Sequence, residues 1–222
     1  RASGPKGHRV IDLIEDLSQE TAGVMLRVGA AYASVSGLRA VLSAVPLTKG
    51  SQWVIGLDDY LTHPSVLDVL ASLPGAEVRI AGEPVDGNRF HPKVYAAITR
   101  RGRRAWFVGG SANLTDGGLK TNAEAVIALE SRGSRDVDTI QEHWREVWKM
   151  GSATSDSVLG AYRLKFAQML RARRKRKPPP KGRQILESDC ATIDPSVARV
   201  TWIEVGNITG FQSEQLEIKA EQ

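Results

Sequence analysis

The chain has 222 residues with a formal charge of +5 and a single cysteine, Cys190, so no internal disulfide and no cysteine-rich zinc site is possible. No stretch is long and apolar enough to cross a bilayer, and the first residues carry no signal-peptide core, so a cytoplasmic location away from any membrane is expected. The positive charge is concentrated: Arg171 to Arg183, "RARRKRKPPPKGR", holds eight basic residues and no acid, and without it the 30 basic residues fall to 22 against 25 acidic ones.

The predicted elements alternate. "HRVIDLIEDLSQET" spaces Val10, Leu13, Ile14 and Leu17 as a helix, with Asp12, Glu15 and Asp16 on its wet side. "GVMLRVGAAYAS" is a buried strand, Ser36 to Val45 a helix, and "QWVIGLDD" a strand. "HPSVLDVLASLP" is a helix stopped by Pro74, and "AEVRIAG" another strand. His63-Pro64 and Asp58-Asp59 fit turn chemistry and receive no functional role. The alternation argues for an α/β fold: a mixed, partly parallel central sheet with helices on both faces.

Phe90 to Leu114, "FHPKVYAAITRRGRRAWFVGGSANL", follows as a hairpin about Arg101-Gly102-Arg103. Pairing about Gly102 places Lys93 opposite Ser111 and His91 opposite Asn113, all on one face, unless a bulge near Gly109-Gly110 shifts the register. Val94, Ala96, Ile98, Trp106 and Val108 then form a buried sheet between the polar ends. "NAEAVIALE" is the next strand. "SRDVDTIQEHWREVWKM" is an amphipathic helix with Val137, Ile140, Trp144, Val147 and Trp148 on its core side, and Ser157 to Arg171 is a further helix. The organisation expected is a domain over residues 1–170, a basic proline-rich linker over 171–184, and a C-terminal extension or the start of a second domain over 185–222.

A histidine, an ammonium, a hydroxyl and an amide at one strand rim suit a tetrahedral phosphate. Lys93 would neutralise its charge, Ser111 and Asn113 would donate to its oxygens, and His91 as neutral imidazole would attack phosphorus. Glu124 is the candidate carboxylate to hold the second imidazole nitrogen. Arg171, Arg173, Arg174, Lys175, Arg176 and Lys177 are the candidate DNA-binding residues, since a basic ribbon attracts polyanions by counterion release.

"HPK" and "GGSANLT" resemble the His-x-Lys and Gly-Ser-x-Asn signature of the phospholipase D superfamily, and "NAEAVI" is similar to the segment bearing that family's glutamate. The resemblance spans roughly Val10 to Met150. It implies His91 as nucleophile, Lys93, Ser111 and Asn113 as phosphate ligands, and Glu124 as histidine support, with no cofactor and no metal. Ile98 stands where the family usually has an aspartate, and the lysine lies further from the glycine-serine pair than is common. Both departures resemble the nuclease branch, including metal-independent restriction endonucleases of the BfiI and NgoFVII type, with DNA as substrate. Only His91 among His8, His63, His91 and His143 has the lysine, so the resemblance implies a homodimer with a composite site on its twofold axis. Two alternatives compete: a Mg²⁺-dependent nuclease using "EIK", Glu217 to Lys219, with Asp194, and a non-catalytic DNA-binding module.

Overall fold

The computed structural model describes residues 9–19, 24–45, 50–82, 89–99, 104–131 and 133–175. Asp194, Glu217, Lys219, Cys190, His8, Arg176 and Lys177 lie outside them, as does the turn at Arg101–Arg103.

Among the described residues, seven strands form one sheet in the order β6-β5-β4-β1-β2-β3-β7: β1 Val24–Ala30, β2 Ser51–Gly56, β3 Ala76–Ala81, β4 Lys93–Thr99, β5 Ala105–Gly110, β6 Val126–Ser131 and β7 Ser152–Ala153. β1, β2 and β3 pair in parallel. β4 joins β1 antiparallel, and β5 and β6 continue antiparallel beyond it. Helices α1 (Val10–Gln19), α2 (Val35–Ala44), α3 (Pro64–Ser72) and α5 (Asp156–Lys175) contribute Ile14, Val41, Leu70 and Tyr162 to the core on one face. Helix α4 (Ser134–Lys149) covers the other, packing Trp144 and Val147 against Phe90 and Val94, and Val137 and Ile140 against Ala96 and Ile98. The expected fold class therefore stands, with helices on both faces of a partly parallel sheet.

The hairpin register differs from expectation by one residue. Val94 pairs with Gly109 and Ile98 with Ala105, and the Thr99 N–H donates to the Arg104 carbonyl at 2.9 Å. Lys93 is thus not opposite Ser111, nor His91 opposite Asn113. Glycines 109 and 110 keep regular pairing with Ile127 and Val126, so no bulge produces the shift. The cause is burial on both faces. Val94, Ala96 and Ile98 face α4, while Trp106 and Val108 face the other core with Tyr95 and Ala97. A strand buried on both sides has no polar alternation to fix its register.

Two helical features carry meaning. Trp144 is core, as its spacing predicts, and its indole N–H donates to Gln52 Oε1 at 2.8 Å. Helix α5 continues to Lys175, so Arg171, Arg173, Arg174 and Lys175 are helical rather than part of a linker starting at 171. Arginine, alanine and lysine are good helix formers, and the change of charge at 171 is not a change of conformation.

Gly110 sits where a side chain has no room, since an added Cβ would run into the backbone of Ala125 and Val126 on the neighbouring chain segment. Gly110→Ala should therefore cost about 1–3 kcal/mol, read as a drop of roughly 2–4 °C in Tm per kcal/mol by thermal circular dichroism. An unchanged Tm would show that the β5–β6 approach yields freely.

Candidate active site

Four strand ends meet at one edge of the sheet. β1 runs towards it and β4 starts from it, because the two are antiparallel neighbours, and the Ala31 N–H donates to the Pro92 carbonyl at 2.9 Å. β5 ends there and β6 begins there. His91 and Lys93 enter from β4, Ser111 and Asn113 from the end of β5, and Glu124 from the approach to β6. Ligand sites in open α/β sheets lie at the carboxyl ends of such parallel strands.

Lys93 is 7% exposed, between Phe90 and Val94, which are buried against α4. Its Nζ lies 2.8 Å from His91 Nδ1, 3.1 Å from His91 Nε2 and 3.0 Å from the His91 carbonyl. An ammonium donates only, so the ring nitrogen that accepts from it is the unprotonated one. Burial lowers the Lys93 pKa from its ordinary value of 10.5, and the Glu124 carboxylate partly opposes that shift. The His91 ring is exposed, with Tyr32 packed edge-on against it at 6.0 Å between centroids.

Ser111 is tied to the β6 side. Its hydroxyl donates to Glu124 Oε2 and accepts the Ala125 N–H at 3.0 Å, while its own N–H donates to the Ala125 carbonyl. Glu124 Oε1 accepts from Asn122 Nδ2 at 3.3 Å. Within one chain, then, the hydrogen bonds of Glu124 go to Ser111 and Asn122, while Lys93 and Tyr32 flank the His91 ring. Asn113 Oδ1 accepts the Tyr32 N–H at 3.3 Å. That bond turns the amide nitrogen away from Tyr32 and leaves it a donor with no partner among the described residues. The loop carrying Ser111 and Asn113 is held from below by the buried Tyr95 hydroxyl, which donates to the Ala112 carbonyl at 3.0 Å. Burial pushes the Tyr95 phenol well above its ordinary pKa, so it remains a donor. The backbone bridge between Ala33 and Leu114 joins this loop to the end of β1.

Two participants escaped sequence reasoning. Asp58 is 5% exposed, and its Oδ2 accepts the N–H of Phe90, the residue before His91, at 2.8 Å. Asp59 Oδ2 accepts the Tyr32 hydroxyl at 3.1 Å, and its Oδ1 pairs with Arg89 at 3.4 Å. Asp59 and Tyr60 both have left-handed backbone angles, φ 57° and 51°, a strain of about 1–3 kcal/mol each that the surrounding contacts must offset. A usable signal existed: two carboxylates directly after a buried parallel strand, where sites lie. His63, by contrast, does cap α3, its Nδ1 accepting the Ser65 N–H at 3.2 Å.

Arg171 and Arg173 are exposed on α5, and Arg173 Nη2 donates to the Asp59 carbonyl at 3.1 Å. The basic end of α5 thus reaches the turn that contacts Tyr32. No helix among the described residues is long and apolar enough to cross a membrane.

No family model and no curated protein matches the sequence. Among solved structures, the chain is similar to a phospholipase D family member, Nuc, from Salmonella typhimurium, at 16% identity over 65% of this chain and 90% of that one, with a TM-score of 0.45. It is also similar to a mutant of yeast tyrosyl-DNA phosphodiesterase 1, at 12% identity over 48% of this chain and 27% of that one, with a TM-score of 0.30.

The Lys93 environment sets a pH dependence. If Lys93 binds phosphate as expected, the ammonium is the form that would do so, and burial makes it lose its proton at a lower pH than a free lysine. The value of kcat/KM for a small phosphodiester should therefore fall on the alkaline side with a midpoint below 10.5. A profile flat to that pH would remove Lys93 from the reaction.

Proposed function

We propose that the chain is a phosphodiesterase of the phospholipase D type, a metal-independent endonuclease that hydrolyses DNA through a covalent phosphohistidine. The observation that carries this reading is the pairing of the part-buried ammonium of a lysine whose stem is buried with an exposed imidazole 2.8 Å away. Lys93 is desolvated enough to value an anion, and His91 is open enough to meet one. The amide nitrogen of Asn113, without a partner among the described residues, supplies a donor on the same edge.

In this mechanism the neutral imidazole of His91 attacks phosphorus. A nitrogen–phosphorus bond forms, the phosphorus–oxygen bond to the leaving strand breaks, and the leaving oxygen takes a proton from the His91 of a second copy. Water then attacks the phosphohistidine, the nitrogen–phosphorus bond breaks, and the second copy's imidazole recovers a proton from that water. Lys93 and Asn113 stabilise the charge on the equatorial oxygens. Ser111 joins them once its hydroxyl leaves Glu124, and Glu124 is the group available to orient an imidazole across the twofold axis. The symmetric scheme requires two copies, because a single chain offers one His-x-Lys pair. A role in restriction, with a separate reading domain for sequence, fits the same scheme.

Plasmid cleavage in excess EDTA tests the reading. Wild-type protein should nick or cut, His91→Ala should be slower by about 10³-fold or more, and the active species should have the mass of a dimer in solution. Radiolabelled substrate should leave an acid-labile label on the wild-type protein. Activity abolished by EDTA would instead favour the carboxylate site at Asp194, Glu217 and Lys219. Binding without any cleavage would favour the non-catalytic module.

The basic residues have a separate signature. Neutralising Arg171, Arg173, Arg174, Lys175, Arg176 and Lys177 together should weaken DNA binding and flatten its dependence on log salt, by up to about 5 in slope if all six reach phosphates. An unchanged slope would make the segment a connector alone.

A further inference from the structure

The turn from Asp58 to Tyr60 touches the histidine segment by two separate routes. Asp58, nearly buried, fixes the backbone directly before His91 by accepting the Phe90 N–H at 2.8 Å. Asp59 accepts the Tyr32 hydroxyl at 3.1 Å, and the Tyr32 ring stands at 81° to the His91 ring with centroids 6.0 Å apart. Tyr32 also sets the amide of Asn113 through its own N–H. Both routes start from consecutive residues of one turn, and the turn is itself braced. The Tyr60 ring stacks on Tyr162 at 5.5 Å, and the Tyr162 hydroxyl donates to the Thr62 carbonyl at 2.7 Å. Gly82, with φ +82°, leaves the space that the Asp58 carboxylate occupies.

We propose that Asp58 and Tyr32 are positioning residues for the His91 nucleophile, the first through the Phe90 amide and the second through the ring contact that Asp59 orients. This rests on the phosphodiesterase reading above and adds to it the element that aims the imidazole. In a single chain Glu124 is bonded to Ser111 and Asn122; beside the direct Lys93 contact, it is the Asp58–Tyr60 turn that fixes the backbone before the imidazole and orients Tyr32 against its ring. An in-line attack on phosphorus tolerates little angular error, and a displacement of about 1 Å costs on the order of 10² in rate.

The test uses the full-length chain, with bis(p-nitrophenyl) phosphate as substrate in excess EDTA. Asp58→Ala should lower kcat by about 10- to 100-fold, with KM within about twofold. Asp58→Asn should stay within about threefold of wild type, because its amide oxygen still accepts the Phe90 N–H. Tyr32→Phe keeps the ring and loses one hydrogen bond, and should lower kcat by about 2- to 10-fold. Rescue by asparagine together with an unchanged KM separates aiming from general loss of structure. If Asp58→Ala fails to fold by circular dichroism, the Tyr32→Phe kcat decides alone. An active wild type whose Asp58→Ala and Tyr32→Phe variants keep its kcat would overturn the positioning role and leave the phosphodiesterase reading standing. A wild type inert towards the diester would overturn that reading and this proposal with it.

Discussion

Lys93 places a positive charge at the first residue of a strand that is buried as far as Ile98. An ammonium there loses part of its water, and a nearby anion or lone pair compensates. His91 supplies the lone pair at 2.8 Å. Other groups at the edge are arranged about that pair: its sequence neighbours Phe90 and Val94 pack against α4, the Pro92 carbonyl joins the segment to β1, and Glu124 adds a negative field from the β6 side. The charge is held near the surface but not in it, which is the condition for recognising an anion without trapping one permanently.

Inserting β4 antiparallel beside β1 is what makes such an edge possible. In a purely parallel sheet, strand starts and strand ends lie on opposite sides. Here the sheet reverses between β1 and β4, so the end of β1 and the start of β4 share one side. Tyr32 follows β1 by two residues and His91 precedes β4 by two, and the rings meet. The parallel strand β2 ends at the same level and delivers Asp58, whose carboxylate reaches Phe90 thirty-two positions away. The chemistry is local in space and dispersed in sequence.

This explains which features were legible beforehand. Strand and helix alternation came from periodicity, and the elements fall within a few residues of expectation; Val137, Ile140, Trp144 and Val147 line the core face of α4 as their spacing requires. His91, Lys93, Ser111, Asn113 and Glu124 were visible because hairpin neighbours are close in sequence, and the structure does bring them to one edge. Their mutual contacts were not visible. The register slipped by one because Val94 to Ile98 are apolar on both faces, so a polarity pattern contains no information about it. Asp58 and Tyr32 looked like ordinary turn and strand residues because their contacts lie 32 and 81 positions away. A buried carboxylate announces itself only when burial is known.

On the proposed function, the helical state of Arg171 to Lys175 alters how that positive segment would meet a polyanion. As an extended thread, five residues would span about 17 Å and could follow a nucleic-acid backbone residue by residue. Wound into α5 they rise only about 7.5 Å, and the helix is tied at one point by the Arg173 bond to the Asp59 carbonyl. Their field resembles a compact knob more than a ribbon. On the proposed function, a helical end of this kind would meet a short arc of phosphates, where an extended thread would follow a long run of them.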